Sequence, residues 1–188
     1  MTDDPCFFGY GSLVNIATHD YHGPAKATAR GWLRAWRHTK AREFAYLTAV
    51  EAPGHEIHGL IAAVPGADWA ALDLREHAYE RRVDTANIAH ARPGTSEIAI
   101  YAVAPCDMVG PTNKHPILLS YLDVVVQGYL REFGADGPAH FFETTLGWDA
   151  PVLDDRADPI YPRHQRLTAL ETTLVDQSLE RLGVTRIT

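Results

Sequence analysis

Cysteine is scarce in this sequence. Of its 188 residues, only Cys6 and Cys106 are cysteines. Small secreted domains that depend on disulfides carry several cysteine pairs. The scarcity therefore excludes a disulfide-stapled scaffold, and it is typical of a protein that works in a reducing compartment. We expect both thiols to serve as small, buried apolar side chains.

Long apolar segments and an excess of positive charge are lacking as well. No stretch approaches the roughly 20 apolar residues of a membrane span, and residues 1–5 have no basic segment of a secretory signal. The formal net charge is -7, whereas a nucleic-acid-binding protein needs a basic face for phosphates. We therefore expect a cytoplasmic protein whose partner is a small molecule, not a nucleic acid or a membrane. The oligomeric state stays open.

The apolar content is sufficient for one substantial core. Hydrophobic residues make up 46% of the chain, and a chain of this length most simply forms one domain. No internal repeat, low-complexity tract or flexible linker divides it. We predict a single domain over residues 1–188.

The first hundred residues are typical of β structure. Turn signals such as Pro53-Gly54, Pro65-Gly66 and Pro93-Gly94 separate short runs rich in apolar and aromatic residues. The predicted strands cover residues 5–9, 25–38, 44–50, 56–64, 79–89 and 97–104. Strands at this density favour a curved or closed sheet, in the manner of a small barrel.

Helix signals interrupt and then follow the strands. Asp68 is a suitable N-cap for a short helix through residue 77, and Pro116 suits the first turn of a helix that runs to residue 133. Apolar residues at helical spacing predict a last helix over residues 167–182. Residues 148–163 contain three prolines, so we expect an ordered loop that braces the helices or, alternatively, caps a cavity. The fold class is α+β: a small mixed β-barrel with flanking helices.

Residues 7–13, FFGYGSL, are the first candidate for function, because two glycines after an apolar run permit close approach to backbone. A dinucleotide fingerprint is disfavoured because Val14 stands where its third glycine is required, and Ser12 lacks the Gly-x-Ser-x-Gly elbow of a serine hydrolase. Two interpretations remain. The segment is a strand with a tight turn, or the amides of Gly11, Ser12 and Leu13 form a nest for a carboxylate or a developing oxyanion.

The motif LDLRE, which ends at Glu76, is the second candidate. On a helix Glu76 lies four residues after Leu72 and shares its apolar side, whereas Asp73 and Arg75 are expected to point elsewhere. Burial and the helix dipole both destabilise the charged form of such a carboxylate, which suits general acid–base chemistry. The alternative is a surface carboxylate paired with Arg75 or Arg81.

Together these motifs resemble the γ-glutamylcyclotransferase family, including the ChaC-type enzymes that cleave glutathione. The resemblance rests on FFGYGSL, on PAKA and GWLRAW in residues 24–36, on LDLRE with a nearby tyrosine, and on Gly110-Pro111 before a helix; it covers roughly residues 6–135. It implies a small barrel with flanking helices and Glu76 as the catalytic residue. It also implies that the γ-glutamyl group is held by Tyr10, Gly11, Ser12 and Leu13.

The implied reaction is attack of the α-amine on the γ-carbonyl of the same glutamyl unit. It gives 5-oxoproline and releases an amine, amino acid or peptide, with glutathione among the candidate substrates. The α-amine must lose a proton and the leaving amine must gain one, and a single carboxylate can serve both steps. No cofactor, metal or water nucleophile takes part. The rival interpretation is a non-catalytic binding protein of the same fold, in which Glu76 forms only a structural ion pair.

Other polar residues have competing interpretations. Tyr79 and Tyr101, in predicted strands, turn a hydroxyl into a cavity or form a structural hydrogen bond. Arg34 faces a substrate carboxylate or is an ordinary surface arginine. The closely spaced His55 and His58 lack the His-Glu-x-x-His order of a zinc protease, so we predict no metal site.

Overall fold

The computed structural model describes residues 4–38, 43–103 and 114–188. Within these ranges the strands are β1 (Cys6–Gly9), β2 (His22–Arg37), β3 (Tyr46–Ala63), β4 (Glu80–Val83), β5 (Ile88–His90), β6 (Ile98–Ala102), β7 (Ile117–Leu118), β8 (Thr145–Leu146), β9 (Val152–Leu153) and β10 (Arg186–Ile187). The α-helices are α1 (Ala70–Arg75), α2 (Leu119–Phe133), α3 (Asp136–Glu143) and α4 (Ala169–Arg181). Short 3-10 turns lie at Ser12–Val14, Ile16–Thr18, Pro65–Ala67 and Thr85–Asn87.

The main sheet is mixed and curled. Its strand order is β4-β6-β1-β3-β2-β5, with β8 paired to β2; β1 is parallel to β6 and antiparallel to β3. A flat path of six strands would separate its ends by about 24 Å, at roughly 4.8 Å per strand. Residues 84–87, which join the end strands β4 and β5, span less than about 19 Å. The sheet therefore curls into a half-barrel, and the predicted α+β fold class is confirmed.

Strands β2 and β3 form a long antiparallel ribbon that differs from the prediction at one point. Two separate strands were expected over residues 44–50 and 56–64, but the structure joins them into β3. Arg30 pairs with Glu56 and Trp32 with Glu51, so residues 52–55 bulge opposite Gly31 alone. The turn signal at Pro53-Gly54 therefore marks a bulge within a strand and not the end of one.

The prediction of one continuous strand over residues 79–89 is also wrong. The structure divides it into β4 and β5 with the turn Thr85–Asn87 between them. The break has a side-chain anchor, because the indole Nε1 of Trp32 donates to Asp84 Oδ2 at 2.6 Å. This break lets one stretch of chain supply both ends of the curled sheet.

The helices follow the prediction with two corrections. Pro116 does not lie in the first turn of α2, because β7 intervenes and pairs with β9. Helix α3 was not predicted. It packs closely on α2, since a Cβ on Gly137 would collide with the carbonyl of Tyr129.

The loop over residues 148–163 braces the helices, as the first of its two interpretations predicts. The buried carboxylate of Asp155 accepts from the Ser120 amide at 2.7 Å and so caps α2. Arg156 donates to both oxygens of Asp123 at 2.8 Å and to Asp176 at 2.7 Å, which ties α2 to α4. Among the described residues, no helix is long and apolar enough to cross a membrane.

Candidate active site

The turn after β1 carries the first group of predicted site residues. Its first hydrogen bond runs from the Val14 amide to the Gly11 carbonyl at 3.0 Å. The amides of Ser12 and Leu13 precede that bond, so neither has an acceptor within the turn. The buried side chain of Asn15 fixes the turn to α2 by donating to the Val124 carbonyl at 2.9 Å.

Tyr121 on α2 faces this turn and was missed by the sequence reasoning. A Cβ on Gly11 would lie 2.6 Å from the hydroxyl oxygen of Tyr121, so glycine is required there for space. The Tyr121 ring is held by edge-on contacts with Trp36 and Tyr161, at centroid distances of 5.9 Å and 5.0 Å. A tyrosine so distant in sequence from the glycines carries no local signal that could have identified it.

Glu76 is the C-cap residue of α1. Its amide donates to the Leu72 carbonyl at 2.9 Å, and the Leu72 side chain is fully buried. The four-residue spacing therefore turns Glu76 inward, and its side chain is only 17% exposed. Glu76 and the predicted residues Tyr10, Gly11 and Ser12 line the same cleft.

Arg75 does not point away from the site, so that expectation was wrong. Its guanidinium donates to Ser12 Oγ at 3.3 Å and to the Thr18 carbonyl at 3.1 Å. It also forms an ion pair with Glu76, with a distance of 3.3 Å between Nε and Oε1. The arginine reaches the turn because α1 ends beside it. Arg75 thus links the two predicted halves of the site, which are Glu76 and the glycine turn.

Arg34 lies behind the turn and supports it. It is fully buried and does not line the cleft, so neither interpretation of this residue was correct. Its Nε donates to the Tyr10 carbonyl at 3.1 Å, and the Tyr129 hydroxyl donates to the same oxygen at 2.9 Å. A second donor group of Arg34 reaches the His58 carbonyl at 2.6 Å. These contacts hold the Tyr10–Gly11 peptide in one orientation.

The tyrosines of the cleft act as protonated hydroxyls. Tyr79 donates to the Leu47 carbonyl at 2.8 Å and Tyr101 donates to Asp73 at 2.5 Å, so both form structural hydrogen bonds while they line the cleft. Burial raises the pKa values of the Tyr101 and Tyr121 hydroxyls; the Asp73 carboxylate raises that of Tyr101 further, and the nearby charge of Glu76 contributes to both shifts. At neutral pH these groups donate hydrogen bonds and do not act as bases.

Among the described residues, the lining of the cleft contains one carboxylate, that of Glu76. The lining residues within the described part of the chain are Phe8, Gly9, Tyr10, Gly11, Ser12, Leu13, Leu47, Glu76, Tyr79, Tyr101 and Tyr121. They surround a small space that is partly open to solvent. Because the hydroxyls stay protonated, Glu76 is the group in this lining that can accept and return a proton.

A larger chamber adjoins the cleft. We use "the chamber" for the space lined by Glu43, Phe44, Ala45, Tyr46, His77, Tyr79, Leu118, Tyr121 and Tyr161. It has a cavity volume of about 490 Å³ and is partly open to solvent. Tyr79 and Tyr121 line both spaces, so the chamber and the cleft are adjacent.

The remaining sequence-based expectations concern thiols and histidines. Cys6 is a buried free thiol, as expected, whereas Cys106 and the Gly110-Pro111 pair lie outside the described residues. His58 stacks on His140 with ring centroids 3.7 Å apart. The described ranges contain no group of three or more His, Cys, Asp or Glu side chains that could hold a metal ion.

Comparison with known proteins identifies relatives of the fold. A structure named gamma-glutamyl cyclotransferase superposes with a TM-score of 0.56 at 11% identity, covering 93% of this chain and 99% of that one. The uncharacterized protein loc79017 from Homo sapiens gives 0.58 at 12% identity, with coverage of 93% and 99%. YkqA from Bacillus subtilis gives 0.54 at 15% identity, covering 77% of this chain and 56% of that chain. At these identities the likeness shows the fold.

A search of the curated proteins finds no match. The family model described as "Gamma-glutamyl cyclotransferase, AIG2-like" matches residues 7–121, more than half of the chain and a segment that contains both the glycine turn and Glu76. The protein therefore belongs to the gamma-glutamyl cyclotransferase, AIG2-like family.

Proposed function

We propose that this protein is a γ-glutamyl cyclotransferase that releases 5-oxoproline, with Glu76 as the general base and acid. The observation that carries the proposal is the shared cleft. The one carboxylate among its described lining residues shares the cleft with a turn in which the Ser12 and Leu13 amides have no acceptor within the turn. The reaction has two requirements: donors that stabilise negative charge on the substrate, and a group that accepts a proton from its amine. The substrate is a small molecule, and the protein groups alone supply the chemistry.

The glycine turn is the proposed binding element. Tyr10, Gly11, Ser12 and Leu13 would hold the γ-glutamyl group, with the amides directed at the oxygen that gains charge. The Tyr10–Gly11 peptide is well suited to this task, because Arg34 and Tyr129 both donate to its carbonyl oxygen. Hydrogen bonds to a peptide oxygen polarise the group and strengthen its N–H as a donor.

Glu76 is the proposed proton carrier. It takes a proton from the substrate α-amine as that nitrogen attacks the γ-carbonyl carbon and closes a five-membered ring. The oxyanion so formed is stabilised by the turn, at about 3 kcal/mol for a well-aligned donor. As the C–N bond to the leaving amine breaks, Glu76 returns its proton to that nitrogen. The products are 5-oxoproline and a free amine, and the carboxylate is regenerated.

Holding the glutamyl chain folded supplies much of the acceleration. An intramolecular attack with good orientation is worth on the order of 7–11 kcal/mol relative to a reaction between free molecules. The turn and Glu76 line one narrow cleft, which brings the proposed binding and proton-transfer groups together. Water is not required as a nucleophile, and a closely lined cleft also excludes it from the intermediate.

The proposal is tested by 5-oxoproline release from γ-glutamyl dipeptides, γ-glutamyl amines and glutathione. In Glu76→Gln the amide keeps the shape but cannot carry the proton, so we expect kcat to fall by about 10²–10⁴-fold with substrate binding retained. The matched control is Glu180→Gln, at an exposed position on α4, which should keep the wild-type rate. An unchanged rate in Glu76→Gln would refute the assignment of Glu76.

One observation favours a second candidate, a non-catalytic binding protein. Glu76 forms an ion pair with Arg75 at 3.3 Å, and such a pair can have a purely structural role. That candidate predicts that γ-glutamyl compounds bind, measured by calorimetry, while no 5-oxoproline forms. It also predicts that Glu76→Gln lowers the melting temperature, because the Arg75 side chain, which is 10% exposed, loses its anionic partner.

A further inference from the structure

The chamber begins where the proposed reaction would release its amine. Tyr79 and Tyr121 form the boundary between the cleft and the chamber. With the γ-glutamyl unit folded in the cleft, the substituent on the scissile nitrogen extends past these two rings. We infer that the chamber binds this substituent, and that the protein prefers γ-glutamyl compounds whose leaving amine carries an aromatic or bulky apolar group. This inference rests on the proposed function.

The inner wall of the chamber has the chemistry of an aromatic-binding site. Tyr46 and Leu118 are buried, and Phe44 is half-buried. Tyr46 meets Tyr79 edge-on at 5.9 Å, and Tyr121 meets Tyr161 edge-on at 5.0 Å. Rings fixed by their neighbours lose little entropy when another ring packs against them, and aromatic pairs favour such offset and edge-on geometries.

The charged groups of the described lining stand away from this wall. Glu43 and His77 are both exposed, so they lie at the rim, and the other lining residues that the structure describes are aromatic or aliphatic. The cavity volume of the chamber is about 490 Å³, which lies within the roughly 300–1,000 Å³ typical of small-molecule pockets. A leaving group as small as alanine would leave most of the apolar wall of the chamber in contact with water.

Two substrates that differ only by a ring test the inference. With wild-type protein, kcat/KM for 5-oxoproline release should be at least about tenfold higher for γ-glutamyl-phenylalanine than for γ-glutamyl-alanine. Equal values, or a preference for alanine, would overturn the inference. If neither compound, no γ-glutamyl amine and no glutathione yields 5-oxoproline, the proposed function fails, and the binding measurement then tests the inference by itself.

Binding is measured by calorimetry with Glu76→Gln, which removes turnover from the experiment. We expect a Kd about tenfold lower for γ-glutamyl-phenylalanine than for γ-glutamyl-alanine. Equal Kd values would overturn the inference whether or not the wild-type protein is active. The failure of the chamber assignment and the failure of the proposed function are thereby distinguished.

A variant pair locates the preference in the chamber. Phe44→Ala removes one ring from the wall, and we expect the phenylalanine-to-alanine ratio of Kd values, measured in the Glu76→Gln background, to shrink severalfold towards one. The control is Ile160→Ala, which shortens an apolar side chain that is 46% exposed and does not line the chamber; it should preserve the ratio. A preserved ratio in a folded Phe44→Ala protein would contradict the assignment.

Discussion

Gly11 is a residue at which the addition of a single methyl group should disturb the cleft. Its Cβ position lies 2.6 Å from the Tyr121 hydroxyl, and packing against Trp36 and Tyr161 holds that ring in place. In Gly11→Ala the hydroxyl must move, which changes the mouth of the cleft. We expect a melting temperature lowered by a few degrees, from about 1–3 kcal/mol of overpacking. We expect a loss of tenfold or more in kcat/KM for 5-oxoproline release.

The double variant Gly11→Ala/Tyr121→Phe separates the clash from any backbone effect. Removal of the hydroxyl leaves room for the methyl group, so the double variant should be more stable than additivity of the two single changes predicts. Thermal melts of the four proteins give the coupling free energy. Additive losses would show that the clash with Tyr121 is not what excludes alanine.

The predicted site residues illustrate what local sequence can specify. Glu76 was expected to face inward because Leu72 precedes it by four residues on one helix, and that relation depends on helix geometry alone. Tyr121 and Arg34 depend on packing between elements that are distant in sequence, and no local pattern contains that information. Arg75 was misjudged for a related reason. The long Arg75 side chain reaches the turn because α1 ends beside it, and helical spacing alone does not predict that contact.

Among the elements, α2 depends on a residue outside it for its N-terminal cap. The N-cap residue, Leu118, has no side-chain acceptor, so Asp155 serves from the loop and also accepts from the Ile160 amide at 3.0 Å. In Asp155→Ala the backbone amides of Ser120 and Ile160 lose their acceptor, which lowers the free energy of unfolding by about 2 kcal/mol. We expect thermal melts to show a decrease of about 4–8 °C.

Two comparison variants make the Asp155 test specific. Asp155→Asn keeps one acceptor oxygen and should lose less stability than the alanine variant. Asp158→Ala lies in the same loop at an exposed position, and exposed substitutions of this kind usually stay within about 0.5 kcal/mol. Equal melting temperatures for Asp155→Ala and Asp158→Ala would show that the cap contributes nothing.

The elements that were not predicted are those whose sequence patterns are weak or whose boundaries depend on distant parts of the chain. Helix α3 begins with Asp-Gly-Pro, a composition typical of a turn, yet Pro138 is tolerated because it lies in the first helical turn. Residues 79–89 have strand composition throughout. Only the closure of the curled sheet requires them to break at residues 84–87, so that β4 and β5 can occupy its two ends.

At the scale of the whole molecule, a stacked histidine pair joins α3 to the sheet. His140 Nε2 accepts a hydrogen bond from the His58 amide at 3.2 Å, which requires that nitrogen to be unprotonated. Burial, with the neighbouring side chains of His58 and Arg34 adding to its effect, lowers the pKa of His140 to about 4. Burial also lowers the pKa of His58, with Arg34 adding to the effect and Glu56 opposing it. The folded state therefore holds both imidazoles neutral.

This arrangement makes global stability depend on pH. Above about pH 6.5 the histidines are neutral in both the folded and unfolded states and contribute no pH dependence. As pH falls from about 6.5 towards 4, the unfolded chain gains protons that folded His140 does not accept, so the free energy of unfolding decreases. We expect a loss of about 1 kcal/mol from this residue after allowance for its partial exposure. That loss corresponds to about 2–4 °C in melting temperature.

His140→Gln provides the test, because glutamine offers an acceptor but does not titrate. Thermal melts between pH 4 and pH 8 should show a shallower decline for this variant than for the wild-type protein. The control His55→Gln removes an exposed histidine and should keep the wild-type slope. Carboxylates that titrate at lower pH affect all three proteins alike, so the difference in slope isolates the buried imidazole. If His140→Gln and the wild-type protein lose stability in parallel, protonation of this pair does not govern the acid sensitivity of the fold.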